Sequence, residues 1–208
     1  MVKLVLATHN AHKVEELRAI LGDALDGIEL IGYDGPEPVE DGDTFEANAL
    51  IKARAAAAFT GLPSIADDSG ISVDALDGAP GIHSARYAGT RSDTDNVDLL
   101  LKNLVGEANR AAHFTCAAAL VVPPPVGSVG PDAPAEPSAE FVELGLWQGS
   151  ILEEPTGPNG FGYDPVFKPA GLSVSSAELR PDEKNAISHR ALAFAAIMPV
   201  VRRELLGE

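Results

Sequence analysis

Two neighbouring carboxylates, Asp67 and Asp68, stand in the segment Ala66-Asp67-Asp68-Ser69-Gly70, between two apolar runs. Adjacent carboxylates repel each other, and a divalent cation relieves that repulsion. On extended backbone their side chains point to opposite sides. One then serves as base or metal ligand, and the other is structural and accepts backbone hydrogen bonds. A plain Asp-Asp-Ser-Gly turn has the same composition. A second acidic group occupies 37–43, where Glu37, Glu40, Asp41 and Asp43 place four acids in seven residues. Glu40 or Asp41 would complete an oxygen ligand set for Mg2+, which binds through one or two carboxylates plus phosphate oxygens. Solvated loop charge is the other reading.

Cations stand at three places. Thr8-His9-Asn10-Ala11-His12-Lys13 lies directly between a strand pattern and a helix pattern. Asn10 suits a helix cap, and the free N–H groups and positive dipole end beyond it favour an anion. Lys13 falls in the first helical turn, where a cation is misplaced unless an anion compensates it. A capped helix with a surface lysine gives the same spacing. Lys52 is either a second phosphate contact or a solvated lysine. In 184–190 (KNAISHR), Lys184, His189 and Arg190 put three potential cations at the opening of the last helix pattern. A flat ligand is suggested by 157–165 (GPNGFGYDP): glycines flank Phe161, and Phe161 and Tyr163 offer stacking faces. The same aromatics could fold into the core.

These residues need elements to hold them. The apolar run 3–7 predicts a strand, and 11–21 has the helical spacing Val14, Leu17, Leu21. A second strand is expected at 28–32 and a long helix over 44–59, with Thr44 as N-cap and Gly61-Leu62-Pro63 as stop. Strand, turn, strand is expected over 64–75, a helix over 93–105, strands at 111–122 and 139–149, and a helix over 187–206 kinked at Pro199. Six prolines between Pro123 and Pro137 remove donors from any sheet. That stretch, 123–138, reads as an exposed loop. Alternating helices and strands point to one α/β domain with a mixed sheet.

Composition narrows the function. The chain has 208 residues, 45% of them hydrophobic, enough for a substantial core. Lys and Arg number 15 against 31 Asp and Glu, a formal net charge of −16, which repels nucleic-acid polymers and anionic membranes. No apolar run spans a bilayer and no leader pattern opens the chain, so the cytoplasm is the expected compartment. Cys116 is the single cysteine and sits in an apolar stretch, where a buried inert thiol is expected.

The five segments THNAHK, EDGDTFEANALIKA, ADDSGISVDALDGAPGIHSARYAG, GPNGFGYDPVF and EKNAISHRALA, in this order over nearly the whole chain, resemble the inosine triphosphate pyrophosphatase family. The resemblance implies an elongated mixed sheet carrying two α/β lobes around a central active-site cleft, and a homodimer. It further implies Mg2+-dependent hydrolysis of noncanonical purine nucleoside triphosphates (dITP, ITP, XTP) to the monophosphate and pyrophosphate. Carried over by residue, Thr8, His9, Asn10, Ala11, His12 and Lys13 correspond to the triphosphate-binding loop. Asp68 corresponds to the proton acceptor and metal ligand, Ser69 to a substrate contact and Glu40 to a second magnesium ligand. Phe161, Gly162, Tyr163 and Asp164 correspond to the base-binding segment, and Lys184, His189 and Arg190 to residues that hold the nucleotide. Two departures stand out: the long proline-rich stretch, and Pro158-Asn159 where glycine is commoner. A pyrophosphatase of the septum-formation inhibitor family, acting on pyrimidine or modified nucleotides, and a non-catalytic nucleotide sensor are the alternatives.

Overall fold

The computed structural model describes residues 1–125 and 137–208 and, at Ala11 and His12, the backbone alone. Its elements follow the apolar patterning. In chain order they are β1 (Val2–Leu6), α1 (Ala11–Leu21), β2 (Ile28–Gly32), α2 (Phe45–Thr60), β3 (Ser64–Val73) and α3 (Asp93–Asn103). Then come β4 (Ala111–Val122), β5 (Ala139–Ile151), β6 (Phe167–Pro169), α4 (Pro181–Ile187) and α5 (His189–Leu206), with short 3-10 turns between. The strands form one sheet in the order β2-β1-β3-β4-β5-β6. Strand β1 runs parallel to β2, with Val2 opposite Ile28 and Leu6 opposite Gly32, and parallel to β3, with Val5 opposite Ser64. Strand β6 is antiparallel to β5, with Gly149 opposite Pro169, so the sheet is mixed, as expected.

The chain divides into two compact units. The first comprises Met1–Asp68, Ala117–Leu144 and Leu192–Glu208; the second comprises Ser69–Cys116 and Gly145–Ala191. Each has its own core. In the first, Val5, Ala7, Ala66, Ala117, Ala119 and Val121 pack with Ala49, Ala53, Ala56 and Ala57 of α2. That helix starts where Thr44 Oγ1 accepts the Ala47 amide (3.1 Å) and stops at Gly61, whose φ of 68° needs no side-chain compromise. The second core gathers Phe114, Trp147 and Phe167 with Val97, Leu100 and Leu104. Cys116 is buried, as expected.

Two expectations need correction. The strand, turn and strand expected over 64–75 are a single strand to Val73. The turn propensity of Asp-Asp-Ser-Gly loses because both carboxylates find lysine partners while the backbone stays in the sheet. The helix expected over 187–206 is α5, which begins at His189; a separate helix, α4, with Pro181 at its start, precedes it. Lys184 therefore lies in α4 and not at the start of α5. Helix α5 continues through Pro199. Both Pro199 and Ala195, whose carbonyl loses its amide partner to the proline, are exposed, where water can replace the bond. Residues 126–136, most of the proline-rich stretch expected to form an exposed loop, lie outside the described residues. Among the described residues, no helix is long and apolar enough to cross a membrane.

Candidate functional site

In the first unit the chemistry gathers on α1, α2, β3 and the acidic loop before α2. Extended backbone in β3 puts Asp67 inside, 2% exposed, while Asp68 is only half-buried as a residue. Asp68 Oδ1 accepts from Lys52 Nζ at 2.8 Å, and the same ammonium donates to Glu40 Oε2 at 3.0 Å. Glu40 is brought there by a clamp at the helix entry, where the Gly42 amide donates to Asn48 Oδ1 (2.9 Å). A Cβ at Gly42 would stand 2.7 Å from Ala47 Cβ, so glycine is needed at that approach. Asp41, the other ligand candidate, is exposed and outside this group. Asp67 Oδ2 takes the Lys13 ammonium at 3.0 Å. The anion expected to compensate Lys13 is thus supplied by the protein itself, as Asp67.

Three carboxylates here share two ammonium groups, and the electrostatics follow from that imbalance. Burial pushes the Asp68 carboxyl above the usual carboxylate range; Lys52 and Lys13 pull it back only in part, and Glu40 adds to the rise. Burial works against the Lys52 charge, yet Asp68, Asp67 and Glu40 together hold its ammonium above the ordinary lysine value. The lysine gains from the group, whereas the aspartate is penalised by its burial and only partly relieved by the lysines. A carboxylate raised above its usual range is better suited to take a proton than an ordinary one. Asn10 caps α1 as expected, its Oδ1 accepting the Lys13 amide (3.3 Å), while Thr8 Oγ1 accepts the Asn10 amide (3.2 Å). His9 Nε2 donates to the Gly35 carbonyl (3.0 Å). The side chains of Ala11 and His12 lie outside the described residues.

The second unit holds the remaining candidates. Asp164, 2% exposed, organises the aromatic loop. Its Oδ2 accepts the Phe161 amide (2.9 Å) and the Lys184 ammonium (2.6 Å), and its Oδ1 accepts from Ser176 Oγ (2.9 Å). Asp164 is thus bound up in the loop and does not present an open carboxylate. Tyr163 departs from its expected stacking role: its ring is buried in the core and its hydroxyl donates to the Ser84 carbonyl (2.9 Å). Phe161 is the half-buried aromatic, with Lys184 Nζ 5.1 Å and the Arg190 guanidinium 5.9 Å from its ring centre. Arg190 is almost wholly buried and donates to Ser69 Oγ (2.9 Å). His189 is buried too, stacked on Phe114 at 4.6 Å and 10°, with Trp147 at 6.2 Å. Ser188 fixes both residues by capping α5 through the Ala191 amide (3.2 Å). Gly162 contributes its amide, which donates to Asp93 Oδ2 at 2.7 Å. At the unusual Pro158-Asn159, Asn159 ties the loop down, its side chain donating to the Leu179 carbonyl (3.0 Å).

Sequence reasoning missed Asn48, Ser176, Asp93 and the Lys13–Asp67 pair. Asn48 was within reach, because a buried polar residue near a helix start must find a partner. The other contacts join residues far apart in the chain and leave no local signal.

Fold and site define a mixed α/β protein that pairs a half-buried carboxylate with a lysine and buries a His-Arg pair at the start of its last helix. The chain belongs to the Ham1 family, matched over residues 4–200. It is 56% identical to the dITP/XTP pyrophosphatase of Leifsonia xyli subsp. xyli, over 97% of this chain and 96% of that protein. It is 51% identical to the dITP/XTP pyrophosphatase of Streptomyces avermitilis over the full length of both. Among solved structures, it resembles a HAM1 protein from Coxiella burnetii with 40% identity and a TM-score of 0.82, covering 97% of this chain and 98% of that one. A nucleoside-triphosphatase / dITP/XTP pyrophosphatase from Mycobacterium abscessus matches with 43% identity and a TM-score of 0.72, covering 95% and 100%. The family read from the five segments is thereby shown, and the septum-formation inhibitor alternative falls away.

Proposed function

We propose that this chain hydrolyses dITP, ITP and XTP at the α–β phosphoanhydride, releasing the monophosphate and pyrophosphate and clearing such nucleotides from the cytoplasmic pool. The observation that carries this reading is the Glu40–Lys52–Asp68 group, in which a carboxylate raised by burial lies 2.8 Å from a lysine ammonium. The names of the Leifsonia, Streptomyces and Mycobacterium relatives, each a dITP/XTP pyrophosphatase, support the substrate class.

Mg2+ is the cofactor assigned to Asp68 and Glu40. The donor set fits it: Asp68 and Glu40 bring two hard carboxylate oxygens to one point, where both now accept from the Lys52 ammonium. Two hard carboxylates completed by phosphate oxygens are the arrangement Mg2+ prefers. When bound, the ion neutralises and orients the triphosphate. Asp68 takes a proton from the attacking water as its oxygen bonds to the α-phosphorus and the bond to the bridging oxygen breaks. Lys13, Lys52 and the N-terminus of α1 stabilise charge on the departing pyrophosphate. Phe161 offers its ring to the base. His189 and Arg190 supply donors for a 6-oxo group, and their burial makes the contact costly to lose when a 6-amino group is offered instead.

Pyrophosphate release across dITP, XTP, ITP, dATP, dTTP and UTP, with and without Mg2+, tests the reading. The first three should turn over, and only with the metal. Asp68→Asn should abolish turnover with the fold intact; near-wild-type rates in that variant would sink the assignment. A homodimer follows from the family resemblance, and light scattering of the eluting protein tests it.

A further inference from the structure

Two successive amides of the aromatic loop each donate to a carboxylate. Phe161 N–H uses Asp164, within the loop, and Gly162 N–H uses Asp93 Oδ2 at 2.7 Å, from 69 residues away. Asp93 opens α3, yet the helix does not need its carboxylate as a cap. Ser92 Oγ already accepts the Asp95 amide (3.2 Å), and Thr90 Oγ1 donates to Asp95 Oδ2 (2.9 Å). Gly162 sits at φ 60°, in the left-handed region, and a tether on its amide opposes relaxation of that backbone. Burial first, then Tyr87 and Asp93, hold the Tyr163 hydroxyl above the ordinary tyrosine value, so the Asp93 charge is also felt at the next residue. A charge-assisted bond of this kind is stronger than a neutral one.

We infer that Asp93 is a positioning residue which, through the Gly162 amide, fixes the Phe161 ring for the nucleobase. This rests on the function proposed above. Asp93 acts on the aromatic loop through the Gly162 amide, so its removal should act on binding more than on the bond-breaking step.

The test compares D93A, D93N and D98N in the full chain. Asp98 is an exposed carboxylate on the same helix, so D98N controls for the loss of charge. In D93A the KM for dITP should rise about three- to tenfold, the range expected for one partly exposed charge-assisted hydrogen bond. Its kcat should stay within about twofold. D93N keeps an oxygen acceptor and should recover most of the loss, while D98N should match the wild type. The Gly162 amide proton should move to higher field in D93A but not in D93N. Wild-type KM in D93A, an equal rise in D98N, or no recovery in D93N overturns the inference. If the wild type releases no pyrophosphate from dITP, the functional reading fails instead. The Gly162 amide shift then still reports separately whether the tether exists.

Discussion

Replacing Lys52 with methionine removes an ammonium and keeps most of the apolar stem. In the wild type that ammonium lies 3.0 Å from Glu40 and 2.8 Å from Asp68; the Lys52 and Asp68 side chains are 13% exposed and Glu40 is 29% exposed. Removing one partner of a buried pair costs about 3–5 kcal/mol. Water reaches the Glu40 side of this group, so the expected loss is about 2–3 kcal/mol. For a chain of this length that lowers Tm by roughly 5–10 °C. Its pH dependence has a definite sign. The folded Asp68 carboxyl sits above its unfolded value, so folding favours its neutral form; that contribution is present below the ordinary aspartate value and is lost as pH rises through the raised one. Lys52 is the main offset to that rise, so its removal deepens the loss. The Lys52 ammonium is itself held above its ordinary value, so the stability it contributes persists until pH passes the lysine range. The gap between variant and wild type should therefore be small near about pH 4 and level at its maximum by about pH 8. Thermal unfolding by circular dichroism in EDTA measures it. Equal losses at the two pH values, or none at the higher one, refute the reasoning.

Other perturbations test neighbouring claims. Glu40→Gln removes a charge that raises Asp68, so the Asp68 carboxyl, followed by carbon NMR, should titrate at lower pH; an unmoved or higher value contradicts the shared-charge account. Phe161→Ala should raise the KM for dITP by roughly tenfold, more than it lowers kcat, as expected for one lost base–aromatic stack. An unchanged KM would assign the base elsewhere.

Much of this molecule was legible locally. Helix α1 and strands β2 and β4 begin and end where their apolar spacing and caps place them, and α2 begins after Thr44 as its sequence requires. Asp68 and Glu40 were visible as candidates because clustered carboxylates are costly. The failures have one physical cause. Asp67-Asp68-Ser69-Gly70 reads as a turn until the lysines that neutralise it are known, and Lys13 reaches Asp67 across 54 residues. Tyr163 reads as a platform until its hydroxyl is seen bonded to Ser84, 79 residues away. Spacing along a chain reports periodicity and caps; it does not report which distant side chain supplies the missing charge or acceptor.

The alanine row of α2 has a dimensional consequence. A lysine stem has a limited reach, so whether Lys52 meets Asp68 and Glu40 depends on how near the helix lies to the strands beneath it. Ala49, Ala53, Ala56 and Ala57, facing Ala66, Ala117 and Ala119, act as a shim of minimum thickness. A bulkier residue there would be tolerated by hydrophobicity but would lift the helix and carry the ammonium out of range. Sequence drift at these positions is therefore expected to erode turnover while a folded protein persists.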